Sequence, residues 1–131
     1  MSTEQNKAVV RRFISDIVVG ANWGAVDELL APNYVNTLMP GLDLAGFKAA
    51  ALGLASVIQE TRVDNLTLIA EGDEVVARFN YGVTLSNGKK LSARNLSYFR
   101  LDNGKIVENE PMSAPDLFQE IFGLMAPPAD S

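Results

Sequence analysis

The sequence predicts an α+β fold: N-terminal helices packed on a strongly curved antiparallel sheet, the two together forming a cone around a small, mostly apolar pocket. Three observations carry this expectation. Apolar residues early in the chain recur at helical spacing, whereas from Arg62 onward the period becomes two. The alternating runs are joined by Glu71-Gly72-Asp73, Asn87-Gly88 and Asp102-Asn103-Gly104, sequences that tolerate positive φ and form tight hairpins. Helices first and a hairpin-linked meander afterwards put the helices on one face of one sheet, and long strands twist enough to curl around them.

Ser2 or Thr3 can cap a first helix whose third position is Glu or Gln, and Val9, Val10, Phe13, Ile14, Ile17 and Val18 then form one apolar face that stops at Gly20. Ala21 to Trp23 lead into a short second helix, Gly24 to Leu30, ended by Pro32. Asn33 to Thr37 reads as a short strand, followed by a loop through Pro40-Gly41 of the kind that sits at a pocket mouth. Asp43 can cap a third helix from Leu44 to Val57, whose broad Ala- and Leu-rich surface should pack on the sheet. Four strands come next: the run containing Val63, Leu66, Leu68 and Ile69, then Val75 to Leu85, Lys90 to Leu101 and Lys105 to Met112. A last helical turn or two, Asp116 to Leu124, precedes a Pro127-Pro128 tail. The reading is one domain over residues 1–131, with about 126–131 a flexible tail.

A chain of 131 residues can bury one core without disulfides or metal. Its 16 acidic and 11 basic side chains leave a formal charge of −5, which disfavours nucleic acid and anionic membrane surfaces as partners. Cysteine and histidine are both absent, so thiol catalysis, a Ser-His-Asp triad and the usual zinc ligands are all excluded. No calcium-loop pattern or glycine-rich phosphate loop is present, and neither metal nor cofactor is expected. Any proton transfer must use Asp, Glu, Lys or Tyr with a shifted pKa, or water. The polar start MSTEQNKAVVRR and the lack of any apolar run near ~20 residues point to a cytoplasmic protein without a membrane span.

Strand parity sets which side chains can share the concave face, since residues two apart point the same way. Ser97 aligns with Asn95, Asn109 with Val107 and Pro111, and Phe79 with Tyr81. Set against the first helix and Tyr34, these faces enclose Phe13, Ile17, Tyr34, Asn36, Phe79, Tyr81, Asn95, Ser97 and Asn109, an aromatic box with neutral polar points. The candidate binding set also takes in Met112 near the end of the last strand. The aromatics could equally be plain core, with the amides satisfying backbone groups. Glu108 and Glu110 share the opposite face, where a solvated role is the ordinary one. A bulge at Pro111 would turn Glu110 inward as a general base, and on that ground Glu110 is the candidate catalytic residue. Asp43 reads first as a helix cap, Trp23 as packing between helices or as a ligand anchor, and Arg78 and Arg94 as outer-face charges.

The stretch MSTEQNKAVVRRFISDIVVGANWGAVDELLAPNYVN resembles the opening of SnoaL-like polyketide cyclases, within the nuclear transport factor 2-like superfamily that also contains ketosteroid isomerases. EGDEVVARFNY and LSYFRLDNGKIVENE resemble their later strands, so the similarity spans nearly the whole chain. It implies a cone-shaped pocket, a small hydrophobic ligand, a homodimer or higher oligomer, and proton-transfer chemistry without cofactor. By position, Ser97 stands where a cyclase has histidine, and Asn109 stands at a common histidine position. The catalytic acid falls at or beside Pro111, next to Glu110, and Asn36-Thr37 replaces an Asp-His pair. Each departure removes a charge or a titrating group.

Two readings follow. In one, Tyr81, Asn36, Asn95 and Asn109 donate hydrogen bonds to a developing enolate or alkoxide of a polyketide- or steroid-like carbonyl compound, and Glu110 or a water moves the proton in an isomerisation or cyclisation. In the other, the same cone holds an apolar ligand without chemistry, or the outer sheet face serves as an oligomerisation surface.

Overall fold

The computed structural model describes residues 2–37 and 42–114. The elements run α1 (Thr3–Arg12), a π-helical segment (Phe13–Val19), a 3-10 turn (Trp23–Ala25), α2 (Val26–Leu29), β1 (Leu30–Asn36), β2 (Leu42–Asp43) and α3 (Leu44–Val57). Four long strands follow: β3 (Ile58–Glu71), β4 (Glu74–Leu85), β5 (Lys90–Asp102) and β6 (Lys105–Ala114). The expected Pro40-Gly41 loop, the last helical turns from Asp116 and the tail lie outside the described residues.

The start of α1 is fixed by a reciprocal capping box: Gln5 N donates to Ser2 Oγ at 3.1 Å, and Ser2 N donates to Gln5 Oε1 at 2.9 Å. The helix buries Val10, and Asn6 Nδ2 donates to Gly72 O at 3.2 Å, tying α1 to the β3–β4 turn. Arg12 closes the other side, forking onto Glu28 at 2.6 and 2.8 Å and reaching Asp16 at 3.0 Å. That contact holds the Glu28 carboxyl below its usual range. An uninterrupted α-helix was expected to Gly20, but the second half widens to π geometry. There Phe13, Ile14 and Ile17 are buried. A side chain at Gly20 would press on backbone carbonyls, since its Cβ would lie 2.9 Å from Asp16 O and 3.0 Å from Ser15 O. The expected second helix is shorter than its sequence suggests, because strand geometry takes over at Leu30.

Asp43 caps α3 as its position suggests, its Oδ1 accepting from Gly46 N at 2.8 Å. The strand order is β2-β1-β6-β5-β4-β3. The β3–β6 meander is antiparallel throughout, but β1 joins β6 in parallel, so the sheet is mixed and not wholly antiparallel as predicted. Asn103 and Gly104 take φ of 49° and 78° in the β5–β6 turn, the left-handed pair that a tight hairpin needs. Register shifts interrupt the ladder at Asp64/Thr67, where Asn65 has φ 57°, and at Arg100/Leu101. Such bulges bend strands and raise twist, which gives the sheet its concave face.

That face and the helices share one core. Val10, Tyr34, Val75, Val83, Leu85 and Ile106 are wholly shielded. Phe13 meets Phe99 edge-on at 5.6 Å, and Tyr34 meets Phe47 of α3 at 5.4 Å. These aromatic contacts seat the π segment and α3 over the sheet while leaving a gap between them.

Candidate functional site

That gap is a cavity of about 220 Å³. Its sheet wall carries Asn36, Phe79, Tyr81, Asn95, Ser97 and Pro111. Phe13, Ile17, Val18 and Val19 of the π segment form a second wall, with Trp23 beyond them. The wider π turn presents consecutive residues to the cavity that a regular helix would spread over more of its circumference. The third wall is α3, through Phe47, Ala50, Ala51, Leu54 and Ala55, and the first residues of β3 complete the rim.

Most of the residues singled out by parity meet here. Phe13, Ile17 and Asn36 line the cavity together with Phe79, Tyr81, Asn95 and Ser97. Tyr34 and Asn109 are buried beside it without lining it. The Tyr34 hydroxyl accepts a 3.1 Å hydrogen bond from Asn36 Nδ2 and pairs with the Asn109 side chain as well. Asn36 and Asn109 are register partners across the parallel β1–β6 pair, which explains why these three groups converge. Asn109 Oδ1 is buried with no hydrogen-bond partner among the described residues, so this layer can accept one more donor.

Two expectations do not hold. Glu110 is exposed and faces away from the cavity, opposite Tyr98 of β5. The β5–β6 ladder runs unbroken through Ser97 opposite Pro111, and the bulge lies at Arg100/Leu101, so nothing rotates Glu110 inward and Pro111 takes the inward place. Met112 shares Glu110's parity and is 55% exposed opposite Leu96. Neither touches the cavity. Glu108 also faces outward, where Arg100 Nε donates to its Oε1 at 3.2 Å. The lining residues missed from sequence are chiefly those of α3, with Val19, Ala21, Leu42 and Ile58 to Thr61 at the edges; the small, apolar, nearly uncharged composition of α3 fits a cavity roof as well as a packed helix.

The electrostatics are those of a neutral site. Among the described lining residues only Tyr81 and Glu60 carry ionisable side chains. Burial pushes the Tyr81 phenol up to about 12, partly offset by a hydrogen bond with Thr61. Burial likewise raises Tyr34 to about 12, against the hydrogen bonds from Asn36 and Asn109. Both phenols are therefore protonated donors at neutral pH. Glu60 sits at the rim, its carboxylate 3.1 Å from Arg62 and largely exposed. Ser97 Oγ donates to Asn95 Oδ1 at 2.6 Å, and both residues line the cavity. The wall can thus hydrogen-bond a carbonyl or hydroxyl and pack an apolar ring, but no inward-facing group among the described residues is poised to take a proton near neutrality.

Among the described residues no cluster of His, Cys, Asp or Glu could hold a metal ion, and no helix is long and apolar enough to cross a membrane. No curated protein matches the chain. Its fold is shared by several solved structures. A candidate polyketide cyclase from Acidithiobacillus ferrooxidans is 22% identical, with a TM-score of 0.73 over 94% of this chain and 99% of that one. An NTF2-like protein of unknown function from Burkholderia pseudomallei is 21% identical, with a TM-score of 0.74 over 96% and 100%. IdmH, a candidate polyketide cyclase from Streptomyces antibioticus, is 17% identical, with a TM-score of 0.73 over 91% and 99%. The family model for the SnoaL-like domain matches residues 10–109, most of the chain, and with the cone-shaped α+β fold it shows that this protein belongs to the SnoaL-like domain family.

Proposed function

We propose that the cavity binds a small, hydrophobic carbonyl compound, held by apolar packing and oriented by neutral hydrogen bonds. The observation that carries this reading is the pairing of an aromatic enclosure with Asn36, Asn95, Ser97 and Tyr81 on its sheet wall. Such pockets, apolar over most of their surface with a few fixed polar groups, bind small ligands by packing and take their orientation from those groups. A ligand carbonyl accepts from Asn95 or Tyr81, while its rings replace the contacts that Phe13, Phe79 and Phe47 lack across the gap.

A second reading, isomerase or cyclase chemistry, rests on Tyr81. A phenol that stays protonated to about pH 12 can steady a developing enolate oxygen as a fixed donor. With Glu110 facing solvent, the proton would pass to water or to another group of the substrate. Calorimetric titration with cyclic ketones tests binding. Deuterium exchange at the ketone α-carbon, followed by NMR from mildly acid to alkaline pH, tests chemistry. Binding without exchange above the buffer rate leaves a ligand carrier, whereas no binding at all removes both readings.

The outer sheet face supports a homodimer. Val35, Leu96 and Met112 are exposed there, at 42%, 45% and 55%, among Arg78, Arg94 and Glu110. A face with an apolar centre and both signs of charge can pair with its own copy. Light scattering on Leu96→Lys should report monomers if two copies meet through this face. An unchanged mass would remove the proposal.

A further inference from the structure

The ligand-binding reading leaves open how large and how charged the occupant can be, and two observations bear on both. The first is volume. The cavity holds about 220 Å³. An apolar protein cavity of roughly 150 Å³ accepts a single benzene ring, and drug-sized ligands occupy pockets of roughly 300 Å³ upward. The present space therefore suits one substituted ring or two fused rings, and a four-ring skeleton does not fit within it.

The second observation is where the cations are. Arg62 directly follows the rim residues Ile58 to Thr61, yet its register partner is Gly82, on the parity opposite to Tyr81. Its guanidinium donates to Glu60 Oε1 and Thr84 Oγ1, both at 3.1 Å, and lies over Gly82, so its charge is spent on the outside. Lys48 of α3 reaches Asp27 at 2.7 Å, and Arg12 is held by Glu28 and Asp16. An anion in the cavity would meet no cation on the wall formed by the described residues, where Glu60 is already paired with Arg62, and it would enter a chain of net charge −5. Burying an unpaired charge is far more costly than burying a hydrogen-bonded neutral group.

Resting on the ligand-binding reading, we infer that the site selects uncharged one- or two-ring carbonyl or phenolic compounds and rejects carboxylates of similar shape and four-ring skeletons. The polar end of the ligand meets the Asn95–Ser97 pair, whose remaining amide atom and hydroxyl lone pairs match a ketone or phenol. The ring lies between Phe79 on the sheet and Phe13 and Phe47 opposite.

The test is a calorimetric titration of the full chain at pH 8 with α-tetralone, α-naphthoate and progesterone. Quenching of Trp23, the single tryptophan, which lines the cavity, reports occupancy of this site and no other. The expected result is saturable binding of α-tetralone with Trp23 quenching, α-naphthoate weaker by at least ~10-fold as an unpaired buried charge requires, and no binding of progesterone up to its solubility. Naphthoate or progesterone binding as tightly as the ketone overturns the size and charge selection but leaves a ligand-binding protein. Failure of all three to bind overturns the ligand-binding reading itself. Ala50→Leu narrows the cavity from the α3 side and should favour one-ring acetophenone over α-tetralone, with circular dichroism confirming the fold. If that variant does not fold, the three wild-type titrations decide.

Discussion

Ser97 and Asn95 stand two residues apart on β5, both turned to the cavity and joined by a 2.6 Å hydrogen bond from the serine hydroxyl to the amide oxygen. Each is almost fully buried, at 4% and 3% exposure. The serine fixes the amide, and the amide's remaining atom is what a ligand would meet.

Ser97→Ala leaves the Asn95 oxygen without that partner. A buried acceptor stripped of its donor costs roughly 1–3 kcal/mol, so the urea midpoint should fall accordingly and α-tetralone affinity should drop with it. An unchanged midpoint would mean that the pair contributes nothing to the fold.

The buried phenols predict an alkaline limit. Unfolded tyrosines ionise near 10, whereas Tyr34 and Tyr81 are held to about 12. Between those values the unfolded chain binds fewer protons than the folded one, so stability falls as pH rises through that window and is insensitive to these groups below it. Each contributes up to roughly 2–3 kcal/mol at the alkaline end. Denaturation curves at pH 9 and 11.5 (conditions chosen about one unit outside and well inside the window) should differ less for Tyr34→Phe and Tyr81→Phe than for the parent chain. Equal losses in all three would count against phenol burial as the cause.

Two glycines should respond differently to alanine. At Gly20 a methyl group would meet backbone oxygens at 2.9 and 3.0 Å, which cannot move without reshaping the π segment. At Gly82 it would meet the end of the Arg62 side chain at 3.1 Å, which can swing aside. Gly20→Ala should destabilise by about 1–3 kcal/mol and Gly82→Ala by less than about 1 kcal/mol. Thermal denaturation ranks them, and the reverse order would refute the steric argument.

Glu110→Gln should leave both stability and ligand affinity within about 0.5 kcal/mol of the parent, since the carboxylate is exposed on the far side of the sheet. A large loss of α-tetralone binding would put that residue back in the site.

Much of this geometry was legible in the sequence because it depends on short-range rules. The Ser2 and Asp43 caps, the hairpin turns and the inward set Phe79, Tyr81, Asn95 and Ser97 all follow from spacing within one element. Parity also placed Glu110 outward, and only the supposed bulge at Pro111 argued otherwise. The bulge sits instead at Arg100/Leu101, because proline at an inward position of β6 does not by itself disturb the ladder there. What could not be read was non-local. Period two tells which face a residue takes but not which strand lies beside it, so the parallel docking of β1 on β6 left no local trace. Nor do Phe13 to Val19 distinguish α from π winding by composition, since the apolar positions that serve one serve the other. Helix α3 was recognised as a helix, but whether it packed tightly or roofed a hollow depended on neighbours supplied by the rest of the fold.

The β1–β6 pairing has a kinetic corollary. Thr37 and Asn109 touch at a sequence separation of 72, whereas the β3–β6 hairpins close over short turns. Contacts between remote segments form late because of the loop that must first be closed. The hairpin sheet should assemble early and the ligand chamber only when the first strand arrives. In stopped-flow refolding, Trp23 fluorescence is then expected to lag the far-ultraviolet signal, and coincident traces would contradict that order. An occupant, having nothing to bind until that last step, would act chiefly by delaying the chamber's opening.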